Sequence, residues 1–449
     1  MAFDQLSMGS EPVTIRMWAV AILAGAAVLL AGAPASAQIG LPGVPGLPGL
    51  PDRLPVDADR LQDGVRGRVD RALQAPARAR DLIRRSDGAL EADPYGWPAV
   101  RAEIVAVELS PAGRRAALDA GFTVVREERL EGLDLAVAVL APPRRLSLRR
   151  AVERLRDLDP TGLYEFNHVY SPAGALADAD GPAPAPTPPA IPLVQAGGAR
   201  IGLIDTGVDA RHPALAGATI RQQGFAGPER PGAHGTAVAS LLAGRAGPFS
   251  GAAPGAALYV ADVYGGSPAG GASTDVAEAL AWMVRNSVPV VNVSLVGPRN
   301  ALVEAAVRRA AGRGVLIVAA AGNDGPAAAP LYPANYPDVI GVTAVNARGR
   351  ALPEAARGPQ VDFAAPGADM AAAGSGQGYV NVRGASFAAP LVAGLLVRRG
   401  GGDRAVQALA AEARDLGARG PDPVYGHGLV AADLRVEPRS VGARGRLAR

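Results

Sequence analysis

Four short segments, far apart along the chain, carry the side-chain types that nucleophilic catalysis requires. Asp205 lies in Ile-Asp-Thr-Gly, His234 in His-Gly-Thr, Asn323 in Ala-Gly-Asn-Asp-Gly and Ser386 in Gly-Ala-Ser-Phe-Ala. A hydroxyl nucleophile needs a general base, a carboxylate that orients the base and a donor for the developing oxyanion. The four side chains supply these groups in the chain order Asp, His, Asn, Ser. The sequence therefore predicts one acyl-transfer site.

In these four contexts the chain resembles the subtilisin-like serine proteases, the subtilase family. The resemblance implies that Asp205, His234 and Ser386 are the catalytic residues and that Asn323 donates to the oxyanion. It implies an endopeptidase that forms an acyl-enzyme intermediate. One departure is Ala385, where the family has a Thr whose hydroxyl supports the oxyanion site, so we expect weaker catalysis. Phe387 replaces the usual Met, an apolar exchange.

Two further segments resemble the substrate-binding walls of the family. The stretch Asn292-Val-Ser-Leu-Val resembles the strand that pairs with the substrate backbone, and Ala-Ala-Ala-Gly resembles the opposite wall. The residues expected to bind substrate are Ser294, Leu295, Val296, Ala320, Ala321 and Gly322. Val296 stands where the family has Gly and is expected either to narrow the pocket or to shift the strand. The small apolar lining predicts an uncharged apolar residue before the scissile bond.

The composition excludes several other chemistries. The chain has no Cys and no Lys, so a cysteine nucleophile, a Ser-Lys dyad and a Schiff-base lysine are ruled out. Only four His are present and none forms His-Glu-x-x-His, which excludes that zinc-protease motif. A net charge of +3, from 45 Arg against 42 acidic residues, gives no case for nucleic-acid binding. No cofactor or metal ligand is predicted, although a structural calcium ion is left open.

Strongly apolar runs alternate with helical segments from residue 199 onward. The runs are expected to be strands buried on both faces, which indicates a parallel sheet between helix layers. They are residues 201–204, 258–263, 288–293, 315–320 and 339–345. Functional residues in such folds gather at the carboxyl ends of strands, where Asp205 and Asn323 both fall. The predicted fold class is α/β, a subtilisin-like three-layer fold with a mainly parallel sheet.

The N-terminus resembles an export signal. Arg16 precedes an uncharged stretch at 17–33, and Ala35-Ser-Ala37 offers a cleavage site. Residues 1–37 are therefore expected to be a signal peptide and the protein secreted or periplasmic. The alternative is an uncleaved membrane anchor, since 17 residues lie at the short limit for a spanning helix. Membrane contact is expected only in that case.

A small domain is expected before the peptidase. Residues 38–98 read as a Gly/Pro-rich spacer, with Gly-x-Pro triplets at 40–51, followed by an amphipathic helix. Residues 99–171 show the order β-α-β-β-α-β, which is typical of a ferredoxin-like α+β fold. In the subtilase family a domain of this order is a propeptide that assists folding and inhibits the protease. The resemblance implies that role here; the alternative is a merely structural domain.

The remaining boundaries follow from composition. Residues 172–196, rich in Ala and Pro, are expected to be an exposed linker. Autoprocessing is predicted between about Val169 and Val194. Residues 197–436 form the expected peptidase domain and 437–449 a basic tail. The expected partners are protein or peptide substrates and the chain's own N-terminal domain as an intramolecular inhibitor. A catalytically weakened binding or scaffold protein is the rival interpretation, because of Ala385 and Val296.

Overall fold

The computed structural model describes residues 77–173, 175–176, 198–374 and 376–443, all within one compact unit. The expected signal peptide, residues 38–76 of the expected spacer segment and most of the linker lie outside the described residues, whereas residues 77–98 of that segment are described and contain a helix and a short strand. No helix in the described ranges is both long enough and apolar enough to span a membrane. The first described element is the helix α1 (Ala77–Arg85), which precedes the predicted small domain.

The small domain has the predicted ferredoxin-like order. It runs through β1 (Leu90–Ala92), β2 (Pro98–Val107), α2 (Pro111–Asp119), β3 (Thr123–Leu130), β4 (Leu135–Ala141), α3 (Leu148–Leu158) and β5 (Leu163–His168). The four long strands lie side by side as β5-β2-β4-β3, all antiparallel. The short β1, which the sequence pattern did not predict, adds to β2 at residues 98–100.

Both faces of this small sheet are buried. One face packs on α2 and α3 around a core that includes Ile104, Phe122 and Val152. The other face contributes Val105 and Leu135 to a cluster shared with helices of the larger domain. The small domain is therefore not tethered loosely, since part of its hydrophobic core is formed by the peptidase domain.

The larger domain is built on a parallel sheet, as the apolar runs predict. Within the described residues its seven strands are β8 (Arg200–Asp205), β9 (Ile220–Gly224), β12 (Ala257–Asp262), β13 (Val290–Val293), β15 (Leu316–Ala320), β16 (Val339–Val345) and β17 (Phe363–Pro366). They lie in the order β17-β16-β15-β13-β8-β12-β9, and each neighbouring pair is parallel. This order supports the three-layer α/β prediction.

Helices cover both faces of that sheet. One cluster of buried residues contains the apolar sides of α4 (Ala233–Ala243), α7 (Ala385–Arg398) and α8 (Gly402–Glu412). The other contains those of α5 (Ser273–Arg285) and α6 (Ala301–Ala311), on which the small domain rests. Because a parallel sheet is buried on both faces, its strands read as continuous apolar runs rather than as alternating patterns. Short 3-10 turns occur at Pro213–Leu215, Ala432–Leu434 and Pro438–Val441.

The structure corrects the prediction that the chain is an exposed linker from residue 172 onward, because the start of this segment is paired in β-strands. Within 171–176, β6 (Ser171–Pro172) pairs with β14 (Leu295–Val296), and β7 (Ala175–Leu176) pairs with β19 (Tyr379–Arg383). β19 also pairs with β18 (Met370–Ala373), and a separate hairpin joins β10 (Arg245–Ala246) to β11 (Phe249–Ser250). Strand addition uses backbone groups, so an Ala/Pro-rich composition does not exclude it.

Candidate active site

Asp205, His234 and Ser386 form one hydrogen-bonded chain. The His234 Nδ1 atom lies 2.9 Å from both carboxylate oxygens of Asp205, and its Nε2 atom lies 3.0 Å from Ser386 Oγ. Asp205 ends β8 and is fully buried, and it accepts a further hydrogen bond from the Thr206 amide. This geometry lets the carboxylate hold the imidazole with Nε2 free to accept the serine proton. Three residues that are 29 and 152 positions apart thus meet as the sequence analysis expects.

The backbone around His234 is held close to the end of β8. The Gly235 amide donates to Thr206 Oγ1 at 2.9 Å. A Cβ at Gly235 would lie 2.2 Å from the Thr206 carbonyl oxygen, so only glycine permits this approach. The ring of Phe387 packs against the imidazole at 5.2 Å between centroids. Thr206 and Phe387 therefore fix the position of the base. The sequence pattern did not indicate this role for Thr206.

Ser386 is the second residue of α7. Its carbonyl accepts a hydrogen bond from Ser294 Oγ at 3.0 Å, and that hydroxyl in turn accepts from Asn292 Nδ2 at 2.8 Å. The preceding Gly384 has φ 135°, a conformation that allows the chain to turn sharply from β19 into the helix. Backbone N–H groups in the first turn lack intrahelical partners and carry the positive end of the helix dipole. A negative charge forming beside Ser386 would be stabilised there.

Asn323 follows β15 and points its amide at the docked N-terminal segment. Its Oδ1 atom accepts from the Ala385 backbone N–H at 2.9 Å, and its Nδ2 atom donates to the Ala173 carbonyl oxygen. The first bond orients the amide through the backbone N–H of residue 385, without the side-chain hydroxyl that a Thr would offer there. The expectation that the missing hydroxyl weakens catalysis stays a prediction.

The segment Tyr170–Ala173 lies in the cleft as an added strand. Pro172 lies opposite Leu295 and Ser171 opposite Val296, and the Ala173 amide donates to the Ser294 carbonyl at 3.0 Å. The Tyr170 amide donates to Gly271 on the other side, at 2.8 Å. Ser294, Leu295 and Val296, expected from the sequence to bind substrate, thus contact a peptide of this chain in an extended conformation.

Tyr170 fills a closed aromatic pocket. It is fully buried, and its hydroxyl donates to the Pro298 carbonyl at 2.9 Å. A Cβ at Gly297 would lie 2.7 Å from the Tyr170 ring, so the pocket depends on that glycine. The Tyr264 hydroxyl donates to the Tyr170 carbonyl at 3.0 Å. Burial raises the pKa of Tyr170 well above its usual value, so its hydroxyl stays protonated and able to donate.

The three residues of the other expected wall lie in different surroundings. Ala320 belongs to the same buried cluster as Ala173. Ala321 packs instead with Ala356 and Val361, and its amide donates to the Val342 carbonyl. Gly322 has φ 111° and leads directly to Asn323. His212, expected to be structural, accepts from the Ala214 amide and contacts the Gly378 carbonyl through Nε2 at 3.0 Å.

Two Asn side chains fasten the small domain to the peptidase domain. The Asn300 side chain caps α6 through Oδ1 and donates through Nδ2 to the Phe166 carbonyl at 2.9 Å. On the other side, Asn167 Oδ1 accepts from the Ser273 hydroxyl at 2.8 Å. On the small-domain side these bonds involve Phe166 and Asn167, which come shortly before Tyr170 in the chain. They set the register in which the segment enters the cleft.

Carboxyl groups face each other across the same interface. Glu278 on α5 meets Glu128 on β3, with Asp275 and Arg126 nearby. Burial raises the pKa of Glu278 to about 8, and the contact with Glu128 contributes. Since the raised pKa belongs to the docked state, docking is favoured while Glu278 is protonated. The contribution is fully present below the ordinary glutamate range and is lost as the pH rises through about 8.

We therefore expect the small domain to be held more weakly at alkaline pH. A Ser386→Ala chain cut in the linker by an added protease should release more of its N-terminal part at pH 9 than at pH 6 in size-exclusion chromatography. A Glu128→Gln variant should reduce that difference, because it removes one of the two facing charges. Equal release at both pH values in the parent chain would contradict the expectation.

A serine hydroxyl, an imidazole and a buried carboxylate, at the carboxyl edge of a parallel α/β sheet, define a serine-hydrolase type of site. Comparison with protein families agrees with this class: residues 196–428 match the subtilase family, peptidase S8. The match covers more than half of the chain. The protein therefore belongs to the subtilase family.

Curated relatives are bacterial proteases of this family. The chain is 35% identical over 204 residues to a thermostable alkaline protease of Halalkalibacterium halodurans, covering 44% of this chain and 55% of the relative. It is 36% identical over 205 residues to subtilisin Savinase of Lederbergia lenta, covering 44% of this chain and 74% of the relative. The chain thus spans about half the length of the first of these relatives.

A solved structure shows the same fold. The chain is similar to fervidolysin from Fervidobacterium pennivorans, described as a keratinolytic enzyme related to subtilisin. The TM-score is 0.64 with 21% sequence identity, over 75% of this chain and 61% of fervidolysin. At this identity the likeness supports the fold alone. It extends beyond the 196–428 family match, since it covers three quarters of the chain.

Proposed function

We propose that this protein is a secreted serine endopeptidase that hydrolyses peptide bonds through Ser386, His234 and Asp205. The observation that carries the proposal is the placement of a peptide carbonyl, that of Ala173, on the Asn323 amide beside the hydrogen-bonded Ser386. A site that only bound peptides would not need a nucleophile, a base and an oxyanion donor around one carbonyl. Family membership supports the same activity.

In the proposed reaction His234 Nε2 takes the proton from Ser386 Oγ as the oxygen attacks the carbonyl carbon. Asp205 accepts from His234 Nδ1 and stabilises the imidazolium that forms. The carbonyl oxygen becomes negative and is held by Asn323 Nδ2 and the start of α7. The C–N bond then breaks as His234 returns the proton to the amine, leaving an acyl-enzyme that water hydrolyses by the same steps.

The first substrate is proposed to be the chain itself. Because the Ala173 carbonyl lies on the Asn323 amide, Ala173 is proposed to be the residue on the acyl side, P1, and the bond to Gly174 is the proposed cleavage site. This bond lies inside the predicted processing range, about Val169 to Val194. After cleavage the N-terminal part is expected to remain as an inhibitor, since Tyr170–Ala173 still fills the cleft.

The same register predicts the substrate class, with Tyr at P4 and a small apolar residue at P1. We expect a Tyr-Ser-Pro-Ala p-nitroanilide to be cleaved with a kcat/KM about 10- to 200-fold higher than Ala-Ser-Pro-Ala, because the buried ring is lost. Phe-Ser-Pro-Ala should fall about threefold to tenfold below the Tyr peptide, since the Pro298 carbonyl then lacks its donor.

A matched enzyme variant tests whether the Tyr170 pocket causes this preference. Gly297→Ala places a Cβ where the ring lies, so it should lower kcat/KM for the Tyr peptide far more than for Ala-Ser-Pro-Ala. Equal losses of kcat/KM for the two peptides would show that the pocket does not determine the preference for Tyr at P4.

The rival function is that of a binding or scaffold protein without useful activity. Labelling with a serine-directed fluorophosphonate distinguishes it from the protease function. The processed wild-type protein should become labelled at Ser386, because only an activated hydroxyl reacts quickly. Labelling no greater than that of Ser386→Ala would overturn the protease proposal. Secretion is tested separately, by locating the protein in the culture medium of the producing cells.

A further inference from the structure

Helix α1 reaches the active-site cleft although it precedes the ferredoxin-like domain and lies outside the subtilase match at 196–428. Arg78, in its first turn, places Nη2 2.8 Å from Asp324 Oδ2. Asp324 is the neighbour of Asn323, whose amide holds the Ala173 carbonyl. The helix therefore contacts the cleft directly beside the expected scissile bond.

The first turn of α1 is also linked to the docked segment through Tyr264. Ala79 is 5% exposed and belongs to the same hydrophobic cluster as Trp97 and Ala173. The Arg78 guanidinium interacts electrostatically with Tyr264, whose hydroxyl donates to the Tyr170 carbonyl. Arg78 therefore interacts with Tyr264, which holds the P4 end of the segment, and with Asp324, the neighbour of the residue that holds the P1 end.

The ion pair between Arg78 and Asp324 is sheltered from water. The two side chains are 31% and 16% exposed, and the two facing atoms are buried without an aligned hydrogen bond, so the attraction is mainly Coulombic. Burial lowers the pKa of Arg78 and raises the pKa of Asp324, while each charge opposes the shift of the other. Each buried charge therefore depends on its partner, and removing one leaves the other uncompensated.

We propose that α1 is a second inhibitory element, which latches the N-terminal part onto the cleft through Arg78 and Asp324. The proposal rests on the proposed protease function and adds to the strand that fills the cleft. After the bond that follows Ala173 is cut, α1 and that strand belong to the same fragment. The latch then slows the departure of this fragment and delays the appearance of activity.

The latch is tested by the time course of activation of the full chain. Arg78→Gln should shorten the lag before the Tyr-Ser-Pro-Ala peptide is hydrolysed by at least threefold. Its final rate should equal that of wild type, because Arg78 leaves with the fragment. Arg84→Gln is the matched control, since this side chain is 74% exposed and pairs only with Asp81 on the same helix among the described contacts. Equal lags for the two variants would overturn the proposal.

A double-mutant cycle assigns the effect to the ion pair. Asp324→Asn should shorten the lag as Arg78→Gln does, and the double variant should show little more than either single change. Fully additive shortening would mean that the two side chains act separately and would contradict the latch. Asp324 lies beside Asn323, so only the lag, and not the final rate, is compared in this cycle.

A second readout does not require activity. In the uncleavable Ser386→Ala chain, amide hydrogen exchange of residues 77–85 should become at least tenfold faster with Arg78→Gln and stay unchanged with Arg84→Gln. Equal exchange in both variants would overturn the latch. Absence of peptide hydrolysis in every chain, wild type included, would instead overturn the proposed function, so the two failures are distinguishable.

Discussion

A Ser386→Ala chain is expected to lose about 10⁴- to 10⁶-fold in kcat for the Tyr-Ser-Pro-Ala peptide. The physical reason is that the hydroxyl 3.0 Å from His234 Nε2 is the atom proposed to attack the carbonyl. The Asn323 amide and the start of α7 remain in place and account for the small residual rate. Steady-state hydrolysis by N-terminally trimmed protein, produced with an added protease where needed, gives the measurement.

Two further variants sharpen this prediction. Ser440→Ala, at an exposed serine far along the chain, should keep the wild-type rate. His234→Ala should lose about as much as Ser386→Ala, and the double variant should lose no more, because the two groups act as one unit. A Ser386→Ala protein that retains more than a tenth of the wild-type rate would contradict the assignment of the nucleophile.

The second large effect is expected at Asn323. Asn323→Ala should lower kcat by about 10²- to 10³-fold with little change in KM, since its amide is proposed to act mainly on the negative oxygen of the transition state. Removal of the corresponding amide in subtilisin is the measured case for this magnitude. Initial rates over a range of peptide concentrations separate kcat from KM.

The matched change is Asn323→Asp. It keeps the size of the side chain and an oxygen for the Ala385 N–H, but it replaces the donor that faces the carbonyl with an acceptor. We expect a loss at least as large as that of Asn323→Ala. Asn286→Ala, at an amide that donates to the Trp282 carbonyl at the end of α5, serves as the control. A rise in KM with kcat unchanged would contradict this expectation and would show that Asn323 contributes to binding of the substrate in its ground state.

The layers of the fold were predictable because their signals are local. Buried parallel strands produce apolar runs, and the runs at 201–204 and 339–345 appear as β8 and β16. The ferredoxin-like order followed from alternating strand and helix patterns and is confirmed by the strand order β5-β2-β4-β3. The short strand β1 was missed, because three residues added to an edge leave no periodicity that a sequence can display.

Contacts between residues far apart in the sequence were predictable only where each residue lies in a recognisable motif. Asp205, His234 and Ser386 were each recognised in their own local context, and the structure brings them together. Arg78 and Asp324 are 246 positions apart and were not assigned a role from any motif, so their contact could not be predicted from the sequence. Pro172 and Ala173 were assigned to the linker for the same reason, since the pairing of Pro172 with Leu295 depends on backbone groups and leaves no side-chain pattern in the sequence.

The most direct test of the central claim is to find where the purified protein begins. Intact mass and N-terminal sequencing should show that wild-type protein has a new terminus at Gly174, whereas Ser386→Ala retains the segment up to and beyond Ala173. This result would place the carbonyl held by Asn323 at the cleaved bond. An identical, uncleaved N-terminal region in wild type and Ser386→Ala, or the same Gly174 terminus in both, would contradict self-cleavage by this site.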